Sequence, residues 1–214
     1  MKSFVITIMD NPESVKVADR CIKSGKKFGI DIEKFPAITP KDNPLELAKQ
    51  WELPTQGFQE VYSRLENCVA AFLSHYSLWL KCKEDNEKYM ILEHDAVIVN
   101  SIPLFVPFDK VMNIGKPSYG KANRPMKIGV NPLTSKRYMP GAHGYMVNPA
   151  GARHLIDKAY YDAKPTDVYM NVQNFPWLQE YYPWPVEARD TFTTIQKTEG
   201  CLAKHNYGDG YKIL

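Results

Sequence analysis

Apolar and polar positions fall into alternating strand-like and helix-like blocks along the chain. Ser3–Met9 is a continuous β-prone run and predicts an opening strand. Asp10-Asn11-Pro12-Glu13 then supplies a helix start: Asn11 as cap, Pro12 in the first turn, and Glu13 favourable against the positive helix end. Val15, Ala18, Cys21, Ile22 and Phe28 recur at helical spacing, with Gly29 as terminator. A second strand is expected over about Ile32–Ile38, and strand–helix–strand favours a parallel sheet.

Thr39–Pro44 reads as a loop and Leu45–Leu53 as a short helix stopped by Pro54. The clearest helix is Ser63–Lys83, where Leu65, Cys68, Val69, Phe72, Tyr76, Trp79 and Leu80 form one apolar stripe. Lys88–Val99 reads as a strand. From Ser101 to Pro140 the chain is rich in Pro, Gly, Asn and Lys, and only Lys110–Ile114 predicts a strand. Gly141–Asn148 predicts another, and Asn148-Pro149 opens a helix through about Tyr160. Phe175–Val186 is aromatic and proline-broken, which suits edge strands and loops rather than central strands.

The length of 214 residues fits one domain over 1–214 and suffices for a core without staples. A hydrophobic share of 44% and a charged share of 24% are ordinary globular values. No stretch approaches the ~20 apolar residues of a membrane span, and the first ten residues are too short and acid-terminated for a signal peptide. A cytoplasmic protein is expected. Cys21, Cys68, Cys82 and Cys201 show no Cys-x-x-Cys spacing, so reduced thiols without a zinc site are expected. The net charge of +3 hides an asymmetry. Lys110 through Ile156 contains no Asp or Glu but holds Lys110, Lys116, Lys121, Arg124, Lys127, Lys136, Arg137 and Arg153. A modest global charge argues against general nucleic-acid binding. The local basic span suits a smaller anionic ligand, or is a solvated face.

Chemistry concentrates in Tyr89–Val99, whose apolar run suits a central strand buried on both faces. Glu93-His94-Asp95 interrupts it. In extended backbone Glu93 and Asp95 would share one side and His94 the other. Two carboxylates at the carboxyl end of a parallel strand sit where open α/β sheets bind ligands. Unpaired, they would repel each other and be costly to desolvate, and a divalent cation such as Mg²⁺ or Mn²⁺ answers both problems. A buried salt bridge or a capped strand end is the alternative. Asp31-Ile32-Glu33 and Asp85-Asn86-Glu87 share the spacing without the buried strand before it.

Three blocks carry a family resemblance: Phe72-Leu73-Ser74-His75-Tyr76-Ser77-Leu78-Trp79, then Ile91-Leu92-Glu93-His94-Asp95-Ala96, then Gly141-Ala142-His143-Gly144-Tyr145-Met146-Val147-Asn148-Pro149-Ala150-Gly151-Ala152. In order and spacing they resemble glycosyltransferase family 25, which includes lipopolysaccharide sugar transferases and collagen galactosyltransferases. Its usual strings are Leu-Ser-His-x-Ser-Leu-Trp, Ile-Leu-Glu-Asp-Asp and Gly-Thr-His-Ala-Tyr-x-Ile-x-Pro-x-Gly-Ala. Two departures stand out. Asn67-Cys68-Val69-Ala70-Ala71 replaces the family's Gly-Glu-x-Gly-Cys, and His94 replaces the middle Asp.

The resemblance implies a GT-A-like α/β fold, with a mostly parallel central sheet flanked by helices. It implies a UDP-sugar donor (UDP-galactose or UDP-glucose), Mn²⁺ or Mg²⁺, inversion at the anomeric carbon, and an acceptor that is a carbohydrate, lipid-linked or protein. Glu93 and Asp95 become the metal and donor-phosphate motif, with Asp95 the direct ligand and His205 of the tail a third one. His75 joins the donor site or is a hydrogen-bonded core histidine. His143 faces the donor or acceptor, or packs. Asp167, in Pro165-Thr166-Asp167-Val168-Tyr169, is the general base or a helix cap. Trp177, Tyr181, Tyr182 and Trp184 stack on sugars or pack at an edge. The competing classes are a nucleotidyltransferase, for which no Gly-rich phosphate loop is found, and a catalytically silent sugar- or nucleotide-binding protein.

Overall fold

The opening apolar run forms β1 (Lys2–Thr7), and the chain turns at once into α1 (Pro12–Lys26). The structure is a computed structural model describing residues 1–58, 64–102, 104–118, 120–139, 142–189 and 194. Asn11 caps α1 as its sequence predicts, its Oδ1 accepting from the backbone N–H groups of Glu13 and Ser14. There follow β2 (Glu33–Pro36), α2 (Pro44–Gln50), α3 (Leu65–Asp85), β3 (Tyr89–Glu93), β4 (Ala96–Ile98) and β5 (Val111–Asn113). The chain continues through β6 (Gly129–Pro132), β7 (Gly144–Val147), α4 (Pro149–Asp162), α5 (Thr166–Tyr169), β8 (Gln179–Tyr182) and β9 (Val186–Ala188).

The main sheet has the order β2-β1-β3-β7-β5-β8-β6. β2, β1, β3, β5 and β8 point one way, and only β7 and β6 oppose them, so this α/β sheet is mostly parallel in direction. β4 and β9 form a separate antiparallel pair.

Three expectations are corrected here. Lys88–Val99 is not one strand. Its pairing ends at Glu93, a turn takes His94 and Asp95, and Ala96–Ile98 joins the second sheet. β8 is not an edge strand, because it lies between β5 and β6. Pro176, Pro183 and Pro185 all fall outside it, so none removes a ladder donor. β6 lies within the stretch read as loop, where Gly129 and Pro132 at its ends mask a short edge strand.

Side-chain alternation on the central strands divides the core in two. Tyr89 and Ile91 of β3, with Phe4 and Ile6 of β1, pack among Phe72, Tyr76, Trp79 and Leu155 of α3 and α4. Met90 and Leu92, with Val5, pack among Ala18 and Cys21 of α1 and Ile98 of β4. Burial on both faces explains why the β3 sequence reads as an unbroken apolar run. Truncating one of its large fully buried side chains to Ala would cost about 2–5 kcal/mol.

α4 is seated by a close backbone approach. Asn148 Oδ1 accepts from Gly151 N–H at 2.8 Å, and its amide donates to Asp109 O. A Cβ on Gly151 would lie 2.3 Å from the Lys110 carbonyl oxygen, which gives the Asn-Pro-x-Gly string a steric reason.

Candidate functional site

Glu93 is the last residue of β3, at the edge toward which the parallel strands point. It continues the Tyr89–Ile91 face and so meets α3, whose buried His75 (2% exposed) places Nε2 3.3 Å from Glu93 Oε1. His75 Nδ1 lies 2.9 Å from the Tyr145 hydroxyl on β7, and Trp79 Nε1 donates to that same oxygen at 2.8 Å. His75 and Trp79 are one helical turn apart, which puts both on the face of α3 toward the sheet.

The direction of this chain of bonds follows from donor counting. Trp79 N–H can only donate, so it uses one acceptor position of Tyr145. The buried Tyr145 O–H then finds its acceptor in His75 Nδ1. His75 is therefore neutral, carries its proton on Nε2, and donates it to Glu93. Charge tells the same story: burial pulls the His75 pKa down to about 3, with the Asp167 carboxylate acting weakly the other way. Burial pushes the Glu93 carboxyl up to about 8, and Asp167 adds to the rise. A third of the Glu93 side chain stays exposed, so the carboxyl is held from behind and open in front.

His94 and Asp95 belong to the other face. His94 Nδ1 is 2.6 Å from Ser14 Oγ, which also accepts from Ile8 N–H. The Asp95 carbonyl accepts from Arg189 N–H at 2.9 Å and from Arg20 Nη2 at 3.4 Å, and the Cys21 thiol on α1 is pushed up to about 12 by burial first and by the Asp95 charge second. The expected alternation, with Glu93 and Asp95 sharing a side, does not hold. The strand stops at Glu93 and the turn sends Asp95 toward α1. Lys116 and Arg189 flank this side, bonded to Glu187 at 3.0 Å and at 2.9 and 2.7 Å. Lys116 lies in the acid-free span, while Arg189 carries no sequence signal.

Asp167, on α5, is half-buried and accepts from Val168 N–H within its own turn. Its negative charge acts on both His75 and Glu93, raising the pKa of each as a lesser cause after burial. His143 is buried (2% exposed), its carbonyl accepts from Glu93 N–H, and its ring packs on Gly115, where a Cβ would lie 2.6 Å from Nε2. His205 lies outside the described residues. Trp184 Nε1 donates to Glu180 and meets Tyr182 edge-on, while Trp177 packs on Phe175 and His154. Among the described residues no three His, Cys, Asp or Glu side chains converge on one point. Mg²⁺ and Mn²⁺ commonly use one or two protein carboxylates and complete their shell with waters and substrate phosphates. Among the described residues no helix is long and apolar enough to cross a membrane.

A family model described as glycosyltransferase family 25 (LPS biosynthesis protein) matches residues 1–108. The matched half includes His75, Trp79, Glu93 and Asp95, while Tyr145 and Asp167 lie beyond it. No curated protein matches the chain. The structure of CTP:phosphocholine cytidylyltransferase from Streptococcus pneumoniae resembles it over 86% of this chain and 91% of that chain, at 11% identity and a TM-score of 0.36. The chain belongs to glycosyltransferase family 25 and is a glycosyltransferase.

Proposed function

We propose that this enzyme takes its sugar from a UDP-sugar bound at the carboxyl edge of the sheet and passes it to an acceptor hydroxyl with inversion, in the manner of GT-A transferases. The observation that carries the reading is the bonded chain Trp79–Tyr145–His75–Glu93, in which donor counting from the Trp79 N–H puts one N–H on Glu93. It leaves the second oxygen of Glu93 to accept hydrogen bonds from donor sugar hydroxyls. Asp167, whose charge acts on Glu93 and His75, accepts the proton of the attacking acceptor hydroxyl. The acceptor oxygen bonds to the anomeric carbon as the bond to the UDP oxygen breaks, and the opposite face of the sugar becomes substituted.

Asp95 is the residue proposed to hold Mn²⁺ or Mg²⁺. When bound, such an ion neutralises the diphosphate and stabilises the departing nucleotide. Lys116 and Arg189 supply further positive charge beside Asp95, partly offset by Glu187. His143 shapes the floor through Gly115. The test is a screen of nucleotide sugars with Mn²⁺ and simple sugar acceptors. Nucleotide release is read by mass spectrometry and product configuration by NMR. Release of UDP with a new glycosidic bond is expected, and no release from any nucleotide sugar would overturn the proposal.

A further inference from the structure

β6 forms the rim of the main sheet, and the register shows where the loop before it emerges. Asn113 of β5 pairs with Glu180 of β8, and Gly129, the first residue of β6, pairs with Tyr182, the last of β8. β8 points the same way as β3, so Gly129 and the loop ahead of it lie at the same carboxyl edge as Glu93.

This loop is an unusual piece of surface. Met126 is 96% exposed and Ile128 81%, on either side of Lys127. Lys121 and Arg124 complete a cluster of exposed cations, and none of the three is ion-paired to a described residue. No acid occurs from Lys110 to Ile156. The loop is held in shape from beneath. Asn123 N–H donates to Ser135 O at 2.9 Å. Asn131 bonds Lys127 in both directions, accepting from its N–H at 3.2 Å and donating to its carbonyl at 2.8 Å. Met126 and Ile128 therefore display apolar side chains to water from a hydrogen-bonded loop whose own charged side chains are all cations.

We propose that this loop docks the carboxyl edge of the sheet onto an anionic lipid surface. Met126 and Ile128 would enter the headgroup–acyl boundary while Lys121, Arg124 and Lys127 meet lipid phosphates, the division of labour of interfacial anchors. Two protruding apolar side chains separated by a cation suit a soft, anionic, apolar-backed layer. A protein partner would more usually offer a contiguous apolar patch. The docking turns the site's edge toward acceptors displayed on that layer. This last consequence rests on the transferase reading, but the docking itself does not.

The test is co-sedimentation of the full chain with vesicles of phosphatidylglycerol and phosphatidylcholine against vesicles of phosphatidylcholine alone. The anionic vesicles should bind the protein, less so as salt rises, and the neutral ones should bind it weakly. A triple variant, Lys121→Gln, Arg124→Gln and Lys127→Gln, should lose on the order of a hundredfold in affinity, about fivefold per cation. Met126→Ser with Ile128→Ser should lower binding to anionic vesicles at every salt concentration. A control triple of exposed lysines on other elements, Lys23→Gln, Lys49→Gln and Lys83→Gln, should bind nearly as wild type. Binding no better than to neutral vesicles, or equal loss in the control triple, would overturn the proposal. So would a dimer in solution that the Met126/Ile128 variant dissolves without any vesicle binding, which would make the loop a contact between copies. UDP release with soluble acceptors, measured on the same variants, separates the two readings. Release without docking removes only the docking, and docking without release removes only the transfer chemistry.

Discussion

Nε2 of His75 lies 3.3 Å from Oε1 of Glu93, a buried neutral imidazole behind a carboxyl that is open on its other side. Each of the three family-like blocks contributes to this arrangement: His75 and Trp79 come from the first, Glu93 from the second, Tyr145 from the third. The string Ser-His-x-Ser-Leu-Trp thus has a physical reading. His and Trp must share one helix face, a turn apart, to reach the same phenol.

Glu93 makes the stability of the free protein depend on pH. Burial raises its carboxyl from the ordinary 4.5 to about 8, so between those values the folded state holds a proton that the unfolded state releases. The contribution of this proton to stability is complete below pH 4.5 and lost as pH rises through 8. Glu93→Gln keeps a neutral group at every pH. Its melting temperature relative to wild type should therefore climb by a few degrees between pH 4.5 and 8.5, while donor binding weakens. Thermal melts across that range check it, and a difference that stays flat with pH would refute it.

Tyr145→Phe should be more damaging than loss of one hydroxyl suggests. It strands the Trp79 N–H and the His75 Nδ1 position, both buried, at about 1–3 kcal/mol for each group left unsatisfied. For a chain of this length each kcal/mol is about 2–4 °C of melting temperature. ¹⁵N NMR of the imidazoles gives a second readout. His75 should show the Nε2–H tautomer in wild type and a mixture of tautomers in Tyr145→Phe. An unchanged tautomer in the variant would mean that donor counting through Tyr145 does not set the proton.

Much of this fold was legible because local and global preferences agree. Asn11-Pro12 and Asn148-Pro149 both open helices where their caps predict, and the α3 stripe and the buried β3 run needed no tertiary context. What failed depended on pairing. Periodicity cannot say that β3 stops at Glu93, because Ala96–Ile98 is as apolar as the strand before it and merely pairs with β9 instead of the main sheet. The same blindness put Glu93 and Asp95 on one side, whereas Glu93 meets His75 of α3 and the turn sets the Asp95 carbonyl against Arg20 of α1. β6, with Gly and Pro at its ends, is a strand only because β8 lies beside it. In the site, Glu93 and His75 were legible as residues but not as a bonded pair. Tyr145 was seen only as a letter in a string, since a hydroxyl's partners are set across three elements.

Gly151→Ala tests the steric reading of the third block. In a helix Gly→Ala ordinarily gains up to about 1 kcal/mol. Here the new methyl would lie 2.3 Å from a backbone oxygen of Lys110, which cannot rotate away, so α4 must shift. A net loss of about 1–3 kcal/mol is expected, the usual cost of overpacking. Chemical denaturation measures it, and a stabilised variant would show that the contact at Lys110 is slack.

Asp95→Asn addresses the proposed ion site. The substitution leaves in place the bonds to the Asp95 carbonyl from Arg189 N–H and from the Arg20 side chain, so the fold should persist. A ligand present at about 100 times its dissociation constant adds roughly 2.7 kcal/mol of stability to the state that binds it. UDP with Mn²⁺ should therefore raise the melting temperature of wild type by several degrees, and Asp95→Asn should abolish that rise. Glu93→Gln should reduce it less, since its part is toward sugar hydroxyls. His94→Asn should leave nucleotide binding in place but lower stability, because it breaks the 2.6 Å bond to Ser14 that ties the turn to α1. Asp31→Asn, from an exposed acid-x-acid triplet, is the matched control and should change neither. If Asp95→Asn responds to UDP and Mn²⁺ as wild type does, the ion is held elsewhere. If it unfolds the protein, the carboxylate belongs to the packing of α1 against the turn and not to the donor.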